Sequence, residues 1–419
     1  MRHQQGKAQA DRGRGKLWAT RSSCTRDFSW PDLALPQSDL SSLDRPFFDD
    51  DILLATRQMP QNKALGPDGF TGHFFNSCWQ IIRHDVSAAI NSLYNLRCQD
   101  LNLLNKANII LIPKKEGAEE IRDYRPVSLI HAIAKIISKL LALRLAPLIN
   151  ELTSPYQSAF IKKRSIHDNF LYVRNLTRKF HRTKSPALLL KLDISKAFDS
   201  VRWDYLLSLM QRRGFPMQWR NWISSLLSTS TSRIILNGTP LDPIQHGRGL
   251  RQGDPLSPLL FILAIDPLHR LLQVATERGL LSKLNGRAAR FRASMYADAA
   301  VIFLKPTPTD AANIKELLLN FGEVTGLHTN LQKTSVTPTG CSNINIEPIL
   351  AILPVARASF PLKYLGLLAQ AGLPTFNRQS FGEAFHLEWK KLNSGWSGLP
   401  HQISAIFPTC LLNDCTKTT

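Results

Sequence analysis

Two acidic residues at the ends of separate apolar segments constrain this chain more than any other feature. Leu189 to Asp193 is typical of a short apolar strand that delivers a carboxylate at its end. Met295 to Ala300 predicts a tight turn with Asp298 at its tip, and the apolar stretch Val301 to Leu304 follows it. Two strand-end carboxylates from distant segments are what a magnesium-dependent nucleotidyl transfer needs.

Composition narrows the class of partner. The chain has 419 residues, of which 43% are hydrophobic, so it can bury a sizeable core in two or three subdomains. A formal net charge of +20 favours a polyanionic partner, nucleic acid first and a membrane surface second. We find no apolar run of the roughly 18 residues that a membrane span requires. The longest candidate, Ile130 to Ile149, contains three basic residues and fits an amphipathic helix packed on a core, so we expect no membrane partner.

The cysteines and the N-terminus bear on the compartment. None of the six cysteines forms a C-x-x-C pair, which is typical of thiols in a reducing environment. The N-terminus lacks the apolar core of a signal peptide, so we expect a nuclear or cytoplasmic protein rather than a secreted one. Residues 1–44 are interpreted as a basic, disordered tail, with a dedicated nucleic-acid-binding arm as the alternative.

Three further positions suit nucleotide chemistry, and each has a plain structural alternative. The ring of Phe198, five residues after Asp193, could reject a ribose 2′-hydroxyl, although a strand followed by a helix capped by an aspartate explains the same residues. Lys333 follows a helix predicted from Asp310 to about Thr325 and could stabilise a pyrophosphate leaving group. The alternative for Lys333 is a solvated surface charge.

The third position is a glycine-rich loop, Arg248 to Gly253, which precedes an apolar helix. Its glycine spacing does not match a dinucleotide-binding motif, but glycines let a backbone approach a ligand closely. Arg248 and Arg251 could meet phosphates there. The alternative is a surface turn in front of a core helix.

Together these segments resemble the reverse transcriptases of LINE-type (non-LTR) retrotransposons, particularly those of plants. The resemblance covers about residues 45–370, and the motifs occur in the order that the family has. The matching segments are Lys63 to Phe70 (KALGPDGF), Leu111 to Lys115 (LIPKK), Asp123 to Leu129 (DYRPVSL), Gln157 to Phe160 (QSAF), Lys191 to Val201 (KLDISKAFDSV), Arg248 to Phe261 (RGLRQGDPLSPLLF), Met295 to Ala300 (MYADAA), Gly326 to Ser335, and Lys363 to Gly366 (KYLG).

The resemblance implies an α+β fold, that of a right-hand polymerase with helical fingers, an antiparallel-sheet palm and a truncated thumb. The fingers-rich part would cover residues 45–186 and the palm residues 187–360. A palm–thumb hairpin and the truncated thumb would occupy residues 361–419. The implied activity is RNA-directed DNA polymerisation on an RNA template from a DNA primer, with deoxynucleoside triphosphates as substrates. Endonuclease activity would have to come from elsewhere.

The resemblance also implies roles for single residues. Asp193 and Asp298 would hold two Mg²⁺ ions, and Lys333 would lie near the triphosphate as a third catalytic residue. Phe198 would be the steric gate that favours deoxynucleotides. The other expected nucleotide-binding residues are Gln252, Gly253, Arg125, Lys114 and Tyr296.

One departure from the family pattern affects the chemistry directly. Ala299 stands where the family has the second aspartate of its Tyr-Ala-Asp-Asp turn. The loss of one carboxylate weakens a two-ion site, so we expect this copy to be strongly impaired. The alternatives are a catalytically inactive nucleic-acid-binding relic and the product of a decayed open reading frame.

Overall fold

The computed structural model describes residues 28–61, 64–96, 100–120, 123–286 and 291–369. Residues 1–27 of the predicted tail and residues 370–419 of the predicted thumb lie outside this part of the chain, as does Lys63 at the start of the KALGPDGF motif. The described residues form a mixed helix-and-sheet fold, as expected for an α+β protein.

Helices precede the first strand and lie between several of the later ones. In chain order they are α1 (Trp30–Leu33), α2 (Asp49–Arg57), α3 (Gly72–Ser77), α4 (Trp79–Tyr94), α5 (Leu101–Leu104), α6 (Ala132–Leu145), α7 (Ile149–Leu152), α8 (Ile166–Arg182), α9 (Ala197–Ser200), α10 (Trp203–Arg212), α11 (Met217–Ser228), α12 (Ser257–Ile265), α13 (Pro267–Glu277), α14 (Pro308–Thr325) and α15 (Glu347–Ile352). A 3₁₀ helix covers Ser41–Asp44.

The strands group into two larger sheets and one hairpin. They are β1 (Lys106–Pro113), β2 (Tyr124–Ile130), β3 (Ala187–Leu192), β4 (Thr231–Leu236), β5 (Thr239–Pro240), β6 (Ile244–Gln245), β7 (Ala293–Tyr296), β8 (Ala299–Leu304), β9 (Ser335–Thr339), β10 (Ala356–Arg357), β11 (Leu362–Tyr364) and β12 (Leu367–Ala369).

The central sheet has the strand order β10-β9-β3-β8-β7, with β3 in the middle. β3 pairs antiparallel with both neighbours, and Leu192 lies opposite Ala300 of β8. One face, with Leu189, joins an apolar cluster that includes Phe170 of α8, and the other face, with Leu190, joins the main core. Because both faces are covered, β3 is apolar at successive positions instead of alternating with polar residues.

The second sheet joins β1 to β2 as an antiparallel pair and β1 to β4 as a parallel pair, and β4 also pairs with β5 and β6. Asn237 and Gly238 form the turn between β4 and β5, and both have positive φ, at 50° and 81°. Such a two-residue turn matches the twist of a hairpin. The amphipathic helix predicted over 130–149 is also confirmed as α6, with α7 after it.

Residues 28–44, assigned to the tail from sequence, pack against the core. Trp30 stacks on Tyr205 of α10 with ring centroids 6.1 Å apart, and Leu33, Leu40 and Leu43 are buried. Only two short helical segments, Trp30–Leu33 and Ser41–Asp44, form here, and burial of these apolar side chains anchors the segment. Ordered structure therefore begins earlier than residue 45.

One stretch, Ser257–Glu277, is long and apolar enough to cross a membrane by length and composition alone, contrary to our sequence-based reading. Most of it is buried within the protein. It breaks into α12 and α13 at Asp266, whose carboxylate lies 2.9 Å from the Arg213 guanidinium. A buried ion pair at its midpoint and the burial of most of its residues are typical of helices packed in a protein core.

Candidate active site

The register of the central sheet places Asp193 and Asp298 next to each other, where β3 ends and the neighbouring strand β8 begins. β3 ends at Leu192 opposite Ala300, and Asp193 is the next residue. On the neighbouring strand the residues that continue the antiparallel pairing beyond Ala300 are Ala299 and Asp298. The structure thus brings together the two carboxylates that the sequence separates.

Asp298 lies in the two-residue turn between β7 and β8, where Tyr296 pairs with Ala299. Ala297 has φ of +51°, a left-handed conformation that is uncommon for a residue with a Cβ atom. Ala297 is buried whereas Asp298 is exposed, so the turn directs the carboxylate outward. The predicted position of Asp298 at the tip of a strand–turn–strand unit is confirmed.

The surroundings of Asp298 raise the pKa of its carboxyl above the ordinary value of 3.8. Partial burial among neighbouring atoms is the largest cause, and the negative charge of Asp193 adds to it. The backbone N–H of Asp298 and the charge of Arg125 act in the opposite direction. Two carboxylates that repel each other at the edge of a sheet form a place where a cation would relieve the repulsion.

We expect Asp298→Asn to stabilise the protein at neutral pH. The folded environment raises the pKa of this carboxyl, so the charged form that exists at neutral pH is disfavoured in the native state. The unfolded chain loses this proton more readily, so the native penalty is present at pH 7 and disappears as the pH falls through the raised pKa to below 3.8. Thermal unfolding of both proteins across this range measures the difference. Asp242→Asn, at an exposed aspartate between β5 and β6, is the control. A stability difference between native and Asp298→Asn that does not change with pH would contradict the assignment.

The segment after α14 is hydrogen-bonded to the chain around Asp193. The N–H of Asn330 donates to the Asp193 carbonyl oxygen at 2.7 Å, and the N–H of Asp193 donates to the Thr334 hydroxyl at 3.2 Å. Lys333 lies between Asn330 and Thr334 in an exposed turn, where its backbone N–H donates to the Asn330 carbonyl oxygen. The structure therefore places the predicted lysine in the segment next to Asp193.

The glycine-rich loop lies against the edge of β2 and the end of α9. The Gln252 carbonyl oxygen accepts from the Ser128 N–H at 2.9 Å, and its carboxamide donates to an Asp199 carboxylate oxygen at 3.3 Å. Gly253 has φ of +105°, and a Cβ there would lie 3.0 Å from the Ser128 carbonyl oxygen. A residue with a side chain would be strained and crowded at this position, so glycine lets the loop approach β2.

Arg251, interpreted from sequence as a candidate phosphate contact, is instead buried in the protein. Its guanidinium donates to the Asn105 carbonyl and side-chain oxygens at 3.1 and 2.6 Å, and it lies 3.5 Å from the Asp254 carboxylate. The interpretation is wrong because the partners of Arg251 belong to a segment distant in sequence. Arg248 is half-buried, and this desolvation lowers its pKa.

We expect Arg251→Met to lower the free energy of unfolding by about 3 kcal/mol, since it leaves the buried Asp254 carboxylate without its cationic partner. Urea unfolding measures this loss. Adding Asp254→Asn to the same chain removes the unpaired charge and is expected to recover part of the stability. A loss of RNA affinity without a loss of stability would instead favour a phosphate contact.

Phe198 stacks on Phe261 of α12, with ring centroids 4.4 Å apart. The Phe198 carbonyl oxygen accepts from the N–H of Leu250, so the backbone around this ring is tied to the glycine-rich loop. The ring is half-buried and keeps a partly exposed surface. Its place five residues after Asp193 in the chain and its contact with Phe261 suit a wall of the site.

The remaining predicted nucleotide contacts lie on two elements. Arg125 is exposed on β2 opposite Ile112, and its charge acts on Asp298. Lys114 follows β1 at the same end of that hairpin and is also exposed. Tyr296 is half-buried, and burial raises the pKa of its hydroxyl. Of these three residues, Arg125 is the one whose charge the structure connects to the carboxylates.

Sequence reasoning did not assign a role to Gln157, which contacts the turn directly. Its side-chain Oε1 accepts from the Ala297 N–H at 3.1 Å, and the side chain is fully buried. Asn169 of α8 donates to the carbonyl oxygen of Met295 at 2.8 Å. The only available signal was the position of Gln157 in the QSAF motif, which has no catalytic chemistry of its own.

The donor set suits a hard divalent cation. Magnesium in proteins is usually bound by one or two carboxylates together with water and substrate phosphates, so Asp193 and Asp298 are sufficient in kind for one ion. Within the described residues no group of three or more His, Cys, Asp or Glu side chains is arranged to hold a metal. Ala299, which follows Asp298 directly, contributes no oxygen ligand from its side chain.

Comparison with known proteins identifies a family that matches most of the described chain. The family described as "Reverse transcriptase (RNA-dependent DNA polymerase)" matches residues 112–368. A Xenopus laevis protein named "Transposon TX1 uncharacterized 149 kDa protein" is 30% identical over 329 residues, covering 78% of this chain and 25% of the relative. A "Retrovirus-related Pol polyprotein from type-1 retrotransposable element R2" of Nasonia vitripennis is 29% identical over 313 residues. That alignment covers 74% of this chain and 28% of the relative.

A third relative is the "RNA-directed DNA polymerase from mobile element jockey" of Drosophila melanogaster, 27% identical over 289 residues. That alignment covers 65% of this chain and 29% of the relative. The chain thus spans between a quarter and a third of the length of these relatives. The family match covers more than half of the chain and includes both carboxylates. This chain belongs to the reverse transcriptase family and carries the reverse transcriptase domain of the non-LTR retrotransposons.

Proposed function

We propose that the chain is the RNA-directed DNA polymerase domain of a non-LTR element, of the LINE type found in plants, and that this copy is impaired. The observation that carries the proposal is the convergence of Asp193 and Asp298 at one edge of the central sheet. Template RNA, a DNA primer and deoxynucleoside triphosphates would be its ligands, and the net charge of +20 favours such polyanions.

In this proposal Asp193 and Asp298 hold Mg²⁺, which would activate the primer 3′-hydroxyl and stabilise charge on the leaving pyrophosphate. Arg125 and Lys114 attract the triphosphate, since both are exposed at one end of the β1–β2 hairpin. Lys333 stabilises or protonates the leaving group from its turn beside Asp193. Gln252 and Gly253 let the backbone of their loop lie close to the incoming nucleotide.

We assign residues 45–186 to fingers, 187–360 to a palm and 361–419 to a palm–thumb hairpin and truncated thumb. The central sheet, which contains four of its five strands between Ala187 and Thr339, supports the palm assignment. Helices α2 to α8 and the β1–β2 hairpin would form the fingers. The β11–β12 hairpin would lead from the palm into the thumb.

The second candidate is a catalytically inactive nucleic-acid-binding relic, and Ala299 is the specific observation that favours it. The relic would keep the basic surface and the fold but lose metal-dependent synthesis. Primer extension on an RNA template with Mg²⁺ separates the two functions. The polymerase proposal expects extension by the Ala299→Asp chain and none by that chain with Asp193→Asn added. RNA binding that weakens with salt, without extension by any variant, would favour the relic.

Phe198 provides a further test in the Ala299→Asp chain. We expect Phe198→Ala to raise ribonucleotide incorporation relative to deoxynucleotide incorporation by about tenfold or more, because removal of the ring opens space for a 2′-hydroxyl. Single-nucleotide extension with each triphosphate gives the ratio. Phe261→Leu, which alters the stacking partner but leaves the Phe198 ring, is the control. An unchanged ratio in Phe198→Ala would contradict the gate.

A further inference from the structure

The buried carboxamide of Gln157 is hydrogen-bonded to the turn that carries Asp298. Its Oε1 accepts from two backbone donors, the N–H of Ala297 and the N–H of Ala159, each at 3.1 Å. The side chain is 0% exposed, so water does not compete for this acceptor at the surface. The two bonds fix the orientation of the carboxamide relative to the turn.

The backbone of Gln157 is held independently of its side chain. Gln157 pairs with Met295 in a parallel bridge, in which the N–H of Met295 donates to the Tyr156 carbonyl at 3.0 Å. The N–H of Ser158 donates in turn to the Met295 carbonyl at 3.3 Å. The side chain therefore extends from a fixed backbone to the turn two residues beyond Met295.

Ala297 needs such support because its left-handed φ of +51° is unfavourable for a residue with a Cβ atom. The conformation of Ala297 sets the direction of the peptide that leads to Asp298. A turn that relaxed toward negative φ would point the carboxylate elsewhere. The hydrogen bond from Ala297 to Gln157 opposes that relaxation.

We propose that Gln157 is a positioning residue for catalysis: its carboxamide oxygen holds Ala297 in the conformation that directs Asp298 toward Asp193. This inference rests on the proposed polymerase function of the two carboxylates. Gln157 acts through the turn and touches neither metal nor substrate. The QSAF motif thereby gains a physical role in the site.

The residue type agrees with this role. A methionine of similar length would leave two buried N–H donors unpaired. A glutamic acid, which burial without a cationic partner keeps protonated and neutral, would keep the acceptor oxygen. The Gln157 Nε2 atom has no hydrogen-bond partner among the described residues, which is a cost that a hydrocarbon side chain would avoid. The acceptor oxygen is therefore the property that the position requires.

Hydrogen exchange tests the contact in the native chain without any need for activity. We expect Gln157→Met to accelerate exchange at the Ala297 amide by about tenfold, with little change in the β8 amides. Gln157→Glu, which keeps the acceptor, is expected to retain protection. Thr56→Val is the matched control, because it removes another buried side-chain hydrogen bond, the 2.8 Å bond from Thr56 to Ile52 in α2.

Kinetics in the Ala299→Asp chain test the catalytic part. We expect Gln157→Met to lower kcat about tenfold or more with KM for the triphosphate little changed, because a misdirected carboxylate slows chemistry more than binding. Gln157→Glu is expected to restore most of kcat, and Thr56→Val to leave it unchanged. A loss of stability alone would affect Gln157→Met and Thr56→Val alike.

The outcomes are distinct. Unchanged exchange at Ala297 in Gln157→Met overturns the proposal, and so does faster exchange with unchanged kcat. A kcat lost equally in Gln157→Met and Gln157→Glu would also overturn it, because the acceptor would then not be the decisive property. An Ala299→Asp chain that extends no primer would refute the polymerase function, and the exchange measurement would then decide alone whether Gln157 holds the turn.

Discussion

Ala299→Asp is expected to raise the rate of Mg²⁺-dependent primer extension by about a hundredfold or more over the native chain, the scale at which one charge-stabilising group acts in a transition state. Residue 299 directly follows Asp298 and pairs with Tyr296 at the start of β8. A carboxylate there would supply the third set of hard oxygens at a sheet edge where two already converge. Single-turnover extension of a DNA primer on RNA measures the rate.

The matched control is Ala299→Asn, which has nearly the same size as Ala299→Asp but no charge, and which is expected to restore little activity. Extension by the native chain at the rate of Ala299→Asp would mean that Asp193 and Asp298 suffice, and the impairment proposal would be wrong. If both chains are silent, the limiting defect lies outside the turn. In that case a nucleic-acid-binding relic becomes the better account of the chain.

Gly326→Ala is expected to lower the free energy of unfolding by roughly 3 kcal/mol or more, from left-handed strain and overpacking together. Gly326 ends α14 with φ of +82°, and a Cβ atom there would lie 2.1 Å from the Ser200 carbonyl oxygen. Backbone on both sides of the contact is hydrogen-bonded, since the N–H of Arg202 donates to Thr325 at 2.9 Å. Neither segment can move away without breaking that bond.

Gly279 provides a matched control for this experiment. It follows α13 with φ of +76°, and a Cβ atom there would meet nothing within 4 Å. Gly279→Ala should therefore cost only about 1 kcal/mol, the backbone part of the effect. Urea unfolding of the two variants isolates the steric part as their difference. Equal losses at both positions would show that the contact with Ser200 relaxes at little cost.

The sequence predicted those parts of the molecule whose signals are local. The helix within residues 130–149, the helix ending near Thr325 and the strand–turn–strand unit at Asp298 are all confirmed, since periodicity and turn chemistry act over a few residues. The convergence of Asp193 and Asp298 was also predictable. Asp193 follows one apolar strand and Asp298 precedes another, so antiparallel pairing of the two strands brings the carboxylates together.

Features that depend on distant partners were not predictable in the same way. Arg251 has the local sequence of an exposed loop cation, yet Asn105 supplies its buried acceptors from far upstream. Gln157 has no local signal of contact with Ala297, because the two meet only after the sheet forms. The anchoring of residues 28–44 likewise depends on rings and helices contributed by later parts of the chain, such as Tyr205.

The central position of β3 determines how truncation of the chain would affect its fold. β3 acquires its partners from β8 and β9, which are synthesised long after it, so the nascent chain cannot build the sheet until Thr339 has left the ribosome. A stop codon before β9 would leave an edge of β3 unpaired and its apolar residues exposed. Such a product would be prone to aggregation, whereas a substitution at residue 299, where β8 begins, leaves every strand of the sheet in the chain. Truncation before β9 and substitution at the site are therefore expected to differ in their consequences: the first exposes an unpaired strand, and the second keeps the sheet complete.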